Sequence, residues 1–173
     1  MFTRIDHVMI CVPDLTQGIE QYGKLGFNIY PGGVHTGKGT HNAIAFNKDD
    51  YIELLAIRDQ AEYQATASKA GNAGGTLPQF IAAGGGIRYV IIQSDDLTAD
   101  VAAMRQRGVD VSDTTEGSRR TPAGLELKWK VAVLGPGNPL PVFFIQHLTP
   151  ALERSRQVPV AGKHPNGVYI LER

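Results

Sequence analysis

The sequence predicts an α+β protein made of two tandem β-α-β-β-β modules whose mixed sheets form an open metal and substrate cup. Three observations support this fold class: short apolar strands, two amphipathic segments that each follow an Asp, and an internal repeat. At a fixed offset of 82 residues, seven of 25 aligned positions are identical, including the Asp-Leu-Thr of 14–16 and 96–98. The strand and helix periods stay in phase across this alignment, so we interpret the chain as a duplicated module.

The first module is predicted to cover residues 1–57. Its first strand, TRIDHVMICV, ends at Pro13, which has no N–H group to continue a ladder. Asp14 then caps a helix over LTQGIEQYGKLG, whose apolar residues follow helical spacing until Gly26. FNIYPGG forms a short strand before a glycine-rich loop, and THNAIAFN and YIELLAI form a hairpin around residues 48–50.

The second half is predicted to repeat this order after a helical connector. Residues 58–84 are rich in Ala, Gly and Gln, with short helices expected around AEYQATASKAG and LPQFIAAG. The second module covers residues 85–150, with strands in IRYVIIQ, VDVSDTT, LELKWKVAVL and PVFFIQHL. Residues 151–173 form a C-terminal tail whose last apolar segment needs a strand edge to pair with. We therefore expect a homodimer.

The composition disfavours several classes of function. Seventeen Lys and Arg residues balance 17 Asp and Glu residues, which gives a nucleic-acid partner no support. The first ten residues lack the apolar region of a signal peptide, and no segment approaches the roughly 20 apolar residues of a membrane helix. Cys11, the only cysteine, excludes an intramolecular disulfide and a Cys-based zinc site. We expect a cytoplasmic protein that acts on a small molecule, with no membrane partner.

Two polar residues, His7 and Glu53, lie in mid-strand, each on a face whose other residues are mainly apolar. Burial of an unpaired carboxylate costs several kcal/mol, so Glu53 needs a partner. A divalent cation held by both side chains satisfies each of them, because imidazole nitrogen and carboxylate oxygen are ordinary metal ligands. The alternative for Glu53 is an ion pair with Arg4, Arg58 or Arg88.

Six segments together resemble the glyoxalase-like domain group of the vicinal oxygen chelate superfamily: IDHVMICVPDL, GTHNAIAF, YIELLAI, TPAGLELKWKVAVL, LPVFFIQH and HPNGV. The superfamily includes glyoxalases, extradiol dioxygenases, epimerases and bleomycin-resistance proteins. The resemblance implies metal ligands on the first and last strand of each module, which matches His7 and Glu53 and suggests Gln146 as a third ligand. His147 replaces Gln146 if the strand bulges. The implied metal is zinc, nickel, manganese or iron.

Further residues are candidates for contact with a substrate. Tyr89 stands where the resemblance places a second histidine, and it is a candidate general acid or a buried phenol bonded to the backbone. His41 is a candidate substrate donor or a third metal ligand, and His35 a candidate occasional contact at the mouth of the cup. Substrate contacts are predicted for Met9, Tyr51, Trp129, Phe144 and Arg120.

The predicted function is a metal-dependent isomerase, lyase or dioxygenase that stabilises an enolate or oxyanion on a small oxygen-bearing organic substrate. The alternative is a metal-free protein that binds or sequesters a drug or metabolite, as some members of the superfamily do. The presence of both His7 and Glu53 favours the enzyme. The presence of Tyr89 and Gln146 in the second module argues against true glyoxalase I activity.

Overall fold

The computed structural model describes residues 1–69, 77–155 and 163–171. The first half contains β1 (Phe2–Cys11), α1 (Leu15–Lys24), β2 (Tyr30–His35), β3 (Thr40–Phe46) and β4 (Tyr51–Ile57). Two helices follow, α2 (Gln60–Lys69) and α3 (Leu77–Ala82). The second half contains β5 (Gly86–Ser94), α4 (Leu97–Gln106), β6 (Thr115–Arg120), β7 (Glu126–Val133), β8 (Val142–His147) and α5 (Ala151–Ser155). Across these ranges, no helix has the length and apolar character needed to cross a membrane.

The eight strands form one sheet that closes into a barrel in the order β1-β4-β3-β2-β6-β7-β8-β5. The pairs β1–β4 and β5–β8 are parallel, and the other pairs are antiparallel. The predicted α+β fold class is therefore confirmed. The two halves join along the length of β1 and β5, whereas β2 and β6 share only the pairs Val34–Arg120 and His35–Arg119.

The sequence repeat corresponds to equivalent local structure in the two halves. Asp14 and Asp96 cap α1 and α4, since their carboxylates accept hydrogen bonds from the backbone N–H groups of the third following residues. Gly26 and Gly108 follow these helices with positive φ angles of 84° and 81°, which glycine adopts without strain. The offset of 82 residues therefore relates true structural counterparts.

Helices α1 and α4 cover the outer surface of the barrel, and this arrangement decides which strand residues face inward. Under α1, Ile10, Ala43 and Leu54 are among the residues of one apolar core. Under α4, Phe144 and Leu97 belong to a second core. Because side chains alternate along a strand, the neighbours of these core residues face the interior of the barrel.

The described part of the C-terminal tail, residues 163–171, packs on the first half of the same chain. His164 Nδ1 accepts a hydrogen bond from the backbone N–H of Asn28 at 3.0 Å, and Asp50 Oδ2 accepts one from the Leu171 N–H at 2.9 Å. These residues form no strand. The unpaired strand from which the homodimer was predicted is therefore not present in these residues, and dimerisation stays a prediction.

Candidate active site

The interior of the barrel holds a cavity of about 340 Å³. Most of its lining is apolar, and polar side chains from β1, β2, β3 and β4 meet on one wall. Helix α2 contributes Tyr63, Thr66 and Ala67 to the lining, so the connector between the two halves also borders the cavity. A cavity of this kind suits a small organic ligand.

His7 and Glu53 face each other inside this cavity. His7 Nε2 lies 3.2 Å from Glu53 Oε2, and the two residues are 3% and 5% exposed. The imidazole of His7 also stacks on the Tyr51 ring, with the ring centres 4.3 Å apart. The two mid-strand polar residues are thus partners of each other, and Arg4 instead bonds Gln93.

Asp6 lies behind His7 and joins it to a second histidine. The pairing of β1 with β5 shifts register between Ile5 and His7, and the Asp6 carboxylate is fully buried there. Its Oδ2 accepts a hydrogen bond from His7 Nδ1 at 2.7 Å, and its Oδ1 lies 2.9 Å from His147 Nε2. Asp6 therefore fixes the His7 ring with Nε2 directed at Glu53.

The charges of this group are set by burial and by hydrogen bonds. Burial lowers the pKa of His7, but hydrogen bonds to Asp6 and Glu53 outweigh it and raise the pKa to about 9. Burial raises the pKa of Glu53, yet the contacts with His7 and Asn42 bring it down to about 2. In the metal-free protein at neutral pH, a protonated His7 therefore lies between two carboxylates.

Two further side chains, His35 and Asn42, contact Glu53. Asn42 Nδ2 donates to Glu53 Oε1 at 2.6 Å, and His35 Nε2 lies 3.7 Å from the same oxygen. His35 Nδ1 is 2.8 Å from Thr40 Oγ1. Burial lowers the pKa of His35 to about 4, so this imidazole is neutral at physiological pH.

These donors have the spacing and the chemistry of part of a divalent metal site. Two ligands that lie about 2.0–2.2 Å from one ion are roughly 3.0–3.5 Å from each other, and His7 Nε2 and Glu53 Oε2 are 3.2 Å apart. The bond from Asp6 to the far nitrogen of His7 is the usual support of a metal-binding histidine. Within the described ranges, however, no three His, Cys, Asp or Glu side chains are grouped as a metal site. The residues present therefore fit two ligands of a metal ion.

In the second half, aromatic residues occupy the positions that correspond to His7 and Glu53. The parallel pairs Val8–Ile52 and Val90–Val142 are equivalent, so Glu53 corresponds to Phe143, and His7 corresponds to Tyr89. The Tyr89 and Phe143 rings pack edge to face at 5.3 Å. Tyr89 lies beside the cavity and is not among its lining residues.

Gln146 does not reach the cavity, so the structure does not place this predicted metal ligand near His7 and Glu53. Its Oε1 accepts a hydrogen bond from the Leu97 N–H at 3.1 Å, and its Nε2 donates to the Asp95 carbonyl at 2.9 Å. The side chain thus lies at the start of α4, on the outer side of β8. Its neighbour His147 lines the cavity without any bulge, because residues 143, 145 and 147 share the inner face.

The other predicted residues divide by strand face. Met9, Tyr51 and Trp129 line the cavity, and their contact with a substrate stays a prediction. His41, Phe144 and Arg120 are absent from the lining, whereas their neighbours Asn42, Phe143 and Arg119 belong to it. Each of these three residues is one position away from a residue that lines the cavity, and the role predicted for each stays a prediction.

No pattern used in the sequence-based prediction points to Asp6, Asn42 or Arg119 as site residues. Strand alternation contains the signal for Asn42, since Ala43 and Ala45 are small enough to lie beneath α1 and leave Asn42 and Ile44 inside. For Asp6 no such signal exists, because its contact with His7 depends on the register shift in β1. His35 had been expected only at the mouth, yet it reaches Glu53.

Comparison with known proteins supports the fold described above. The family model for the glyoxalase-like domain matches residues 5–173. A search of curated proteins found no match.

Solved structures with this fold include a hypothetical protein from Staphylococcus aureus, with 19% identity and a TM-score of 0.72 over 88% of this chain. The chain spans 62% of the length of that protein. A methylmalonyl-CoA epimerase from Streptomyces coelicolor, solved in complex with 2-nitronate-propionyl-CoA, has 23% identity and a TM-score of 0.57, covering 86% of this chain and 100% of its own. The methylmalonyl-CoA epimerase from Mycobacterium tuberculosis has 23% identity and a TM-score of 0.57, covering 88% of this chain and 93% of its own. At these identities the likeness establishes the fold.

Proposed function

The chain belongs to the glyoxalase-like domain family, and we propose that it is a metal-dependent isomerase that moves a proton beside a carbonyl group of a small organic substrate. The observation that carries this proposal is the contact between His7 and Glu53 at 3.2 Å inside a mostly apolar cavity, with Asp6 bonded behind His7. Two of the structures that share the fold are epimerases by name, which favours isomerase chemistry over lyase or dioxygenase chemistry.

His7 and Glu53 are the residues that would hold the metal. Zinc, nickel, manganese and iron all accept an imidazole nitrogen and a carboxylate oxygen. A divalent ion bound there supplies a Lewis acid that polarises the substrate carbonyl and stabilises an enolate. Asn42 holds Glu53 through its amide, so the carboxylate is fixed before any substrate enters.

His35 is the residue we propose as the general base. When its Nδ1–H is donated to Thr40 Oγ1, the lone pair of Nε2 faces the cavity beside Glu53. Burial lowers the pKa of His35, and the negative charge of Glu53 partly offsets this effect. The proton removed from the carbon next to the carbonyl moves to His35 Nε2. After the planar enolate has turned its other face to His35, the same group returns a proton to that carbon and inverts its configuration.

Exchange of substrate protons with solvent tests this proposal. The metal-supplemented protein is incubated in D₂O with three probe classes, namely 2-oxo acids, acyl thioesters and hydroxy ketones, and deuterium next to the carbonyl is followed by NMR. We expect exchange with at least one class, reduced about 100-fold or more in Glu53→Gln and His35→Gln. His41→Gln is the matched control, because His41 lies on the outer face of the neighbouring strand, and it should exchange normally. Exchange that persists unchanged in both site variants would contradict the proposal.

The second candidate function is metal-free binding of a small molecule. It is favoured by the aromatic pair Tyr89 and Phe143, which occupies in the second half the positions of His7 and Glu53 in the first. A protein that takes up no metal on titration, yet binds small apolar molecules in the cavity, would establish this function instead.

A further inference from the structure

Several charged side chains line the cavity in addition to His7. Those that line it are Lys38, Glu53, Glu116, Arg119 and Arg154, three of them positive and two negative. Glu53 already bonds His7 and Asn42. Glu53 also acts electrostatically on Arg119, and Arg119 and Arg154 bring two guanidinium groups to the same cavity.

Arg119 is held inside the barrel by the backbone. It lies on β6 with 6% of its surface exposed, opposite His35 of β2, and its guanidinium donates to the carbonyl oxygen of Gly32. A guanidinium keeps its charge even where burial lowers its pKa, as it does here. Arg119 thus supplies a fixed positive charge in a cavity that otherwise has mainly apolar walls.

Arg154 brings a second guanidinium to the same cavity from a different element, α5. Burial and the positive charge of Arg154 both lower the pKa of Arg119. Tyr51 also lines the cavity, and its ring stacks on the imidazole of His7. Two arginines and a phenol O–H group therefore line the same cavity.

Two guanidinium groups that line one cavity repel each other, and a bound anion offsets this repulsion because it attracts both of them. Guanidinium groups also form paired hydrogen bonds with the oxygens of carboxylates and phosphates. Much of the remaining wall is apolar and includes Leu127, Val131, Val133, Phe143 and Ile145. A ligand that suits this cavity combines an anionic group with an apolar body.

We propose that the substrate carries an anionic oxygen group, a carboxylate or a phosphate ester, which is bound by Arg119 and Arg154 with the Tyr51 hydroxyl as an additional donor. The inference names the substrate class of the proposed enzyme and so rests on the proposed function. Binding of the anion itself requires neither metal nor turnover.

Fluorescence of Trp129 provides a direct test. Trp129 is the only tryptophan in the chain and lines the cavity, so its emission reports occupancy. The chelator-treated protein is titrated with hexanoate, hexyl phosphate and 1-hexanol, which share one apolar chain. We expect at least one of the two anions to bind about ten- to hundredfold more tightly than the alcohol, and the tighter anion identifies the head group.

Variants locate the binding group. Arg154→Gln and Arg119→Gln should each remove most of the preference for the anion, whereas Arg120→Gln, on the opposite face of the same strand, should keep it. Melting temperatures identify any variant that fails to fold, and Arg154, on the short α5, allows the test even if Arg119→Gln is unstable. Equal affinity for the alcohol and both anions, or an unchanged preference in a folded Arg154→Gln, would overturn the inference.

The same experiment separates this inference from the proposed function. His7→Ala should lose metal and proton exchange while it keeps the preference for the anion. A protein that exchanges substrate protons but shows no preference for anions refutes the inference alone. A protein that binds anions but neither metal nor exchangeable substrate refutes the proposed function alone.

Discussion

At the scale of single residues, the site depends on a short series of alternating acids and bases. Glu53, His7, Asp6 and His147 are joined in that order by contacts of 3.2, 2.7 and 2.9 Å. A buried carboxylate is stable only with such partners, because its desolvation is otherwise not compensated. The sequence revealed His7 and Glu53 because each interrupts an apolar strand. It did not reveal Asp6, whose role depends on a local irregularity of β1.

Cys11 provides a test of burial at this scale. Its side chain is fully buried, and burial raises the pKa of the thiol to about 12. Since the thiolate is the reactive form, we expect no reaction of the native protein with a thiol reagent at pH 8. One equivalent should react after denaturation. Rapid reaction of the native protein would show that β1 is not packed as described.

Gly32 and Gly23 form a pair of opposite predictions. A Cβ atom at Gly32 would overlap Asn42 Oδ1, so Gly32→Ala should displace the amide that holds Glu53 and destabilise the protein by about 1–3 kcal/mol. Gly23 is exposed in α1 with no atom near its Cβ position, so Gly23→Ala should stabilise by about 0.5–1 kcal/mol. Urea denaturation measures both. A neutral Gly32→Ala would argue against the close packing of β2 on Asn42.

At the scale of elements, the repeat predicted the order of the strands and helices and the caps of the helices. β6 begins at Thr115, where the predicted strand VDVSDTT ends, and the faces of individual strands were also less predictable. The predictions for His41, Arg120 and Phe144 each differ by one residue from a cavity-lining neighbour. Strand alternation is reliable only when one inward residue is known, and the cores beneath α1 and α4 supply that reference in the structure. The position of Gln146 differs for another reason. The predicted alignment matched Gln146 with Glu53, whereas the observed strand pairing matches Glu53 with Phe143, three residues earlier.

The docked tail makes the stability of the protein sensitive to pH. Burial lowers the pKa of His164, whose Nδ1 accepts the Asn28 N–H and therefore must stay unprotonated. A histidine whose pKa is depressed on folding stabilises the protein above its unfolded pKa of about 6.5 and loses that contribution as pH falls below it. The difference in unfolding free energy between the wild type and His164→Gln should therefore decrease from pH 7.5 to pH 5. A constant difference would contradict the described tail contacts.

At the scale of the whole molecule, the closure of the barrel joins the two modules around one cavity. The sequence predicted two modules and a cup, because the repeat and the apolar patterns are local signals. At the closure, β2 and β6 share two residue pairs and the bond from Arg119 to the Gly32 carbonyl, and no pattern in either strand specifies this pairing. The position of His35 follows from the same pairing, which brings β2 to the edge of the second module. The least predictable site residues are thus those that depend on contacts between modules.

The duplicated fold has become unequal in its chemistry. The first module retains a histidine and a carboxylate that contact each other, and the second places aromatic rings at the corresponding positions. The second module instead contributes Arg119, Trp129 and His147 to the cavity lining. We therefore expect the first module to bind the metal and the second to select the substrate.

The metal content of the purified protein tests the central claim most directly. The untagged protein, prepared without chelator, is analysed by elemental mass spectrometry beside His7→Ala, Glu53→Ala and the control His41→Ala. We expect about one divalent ion per chain in the wild type and the control, and almost none in the two site variants. The absence of metal in the wild type, with none taken up on titration, would contradict the account.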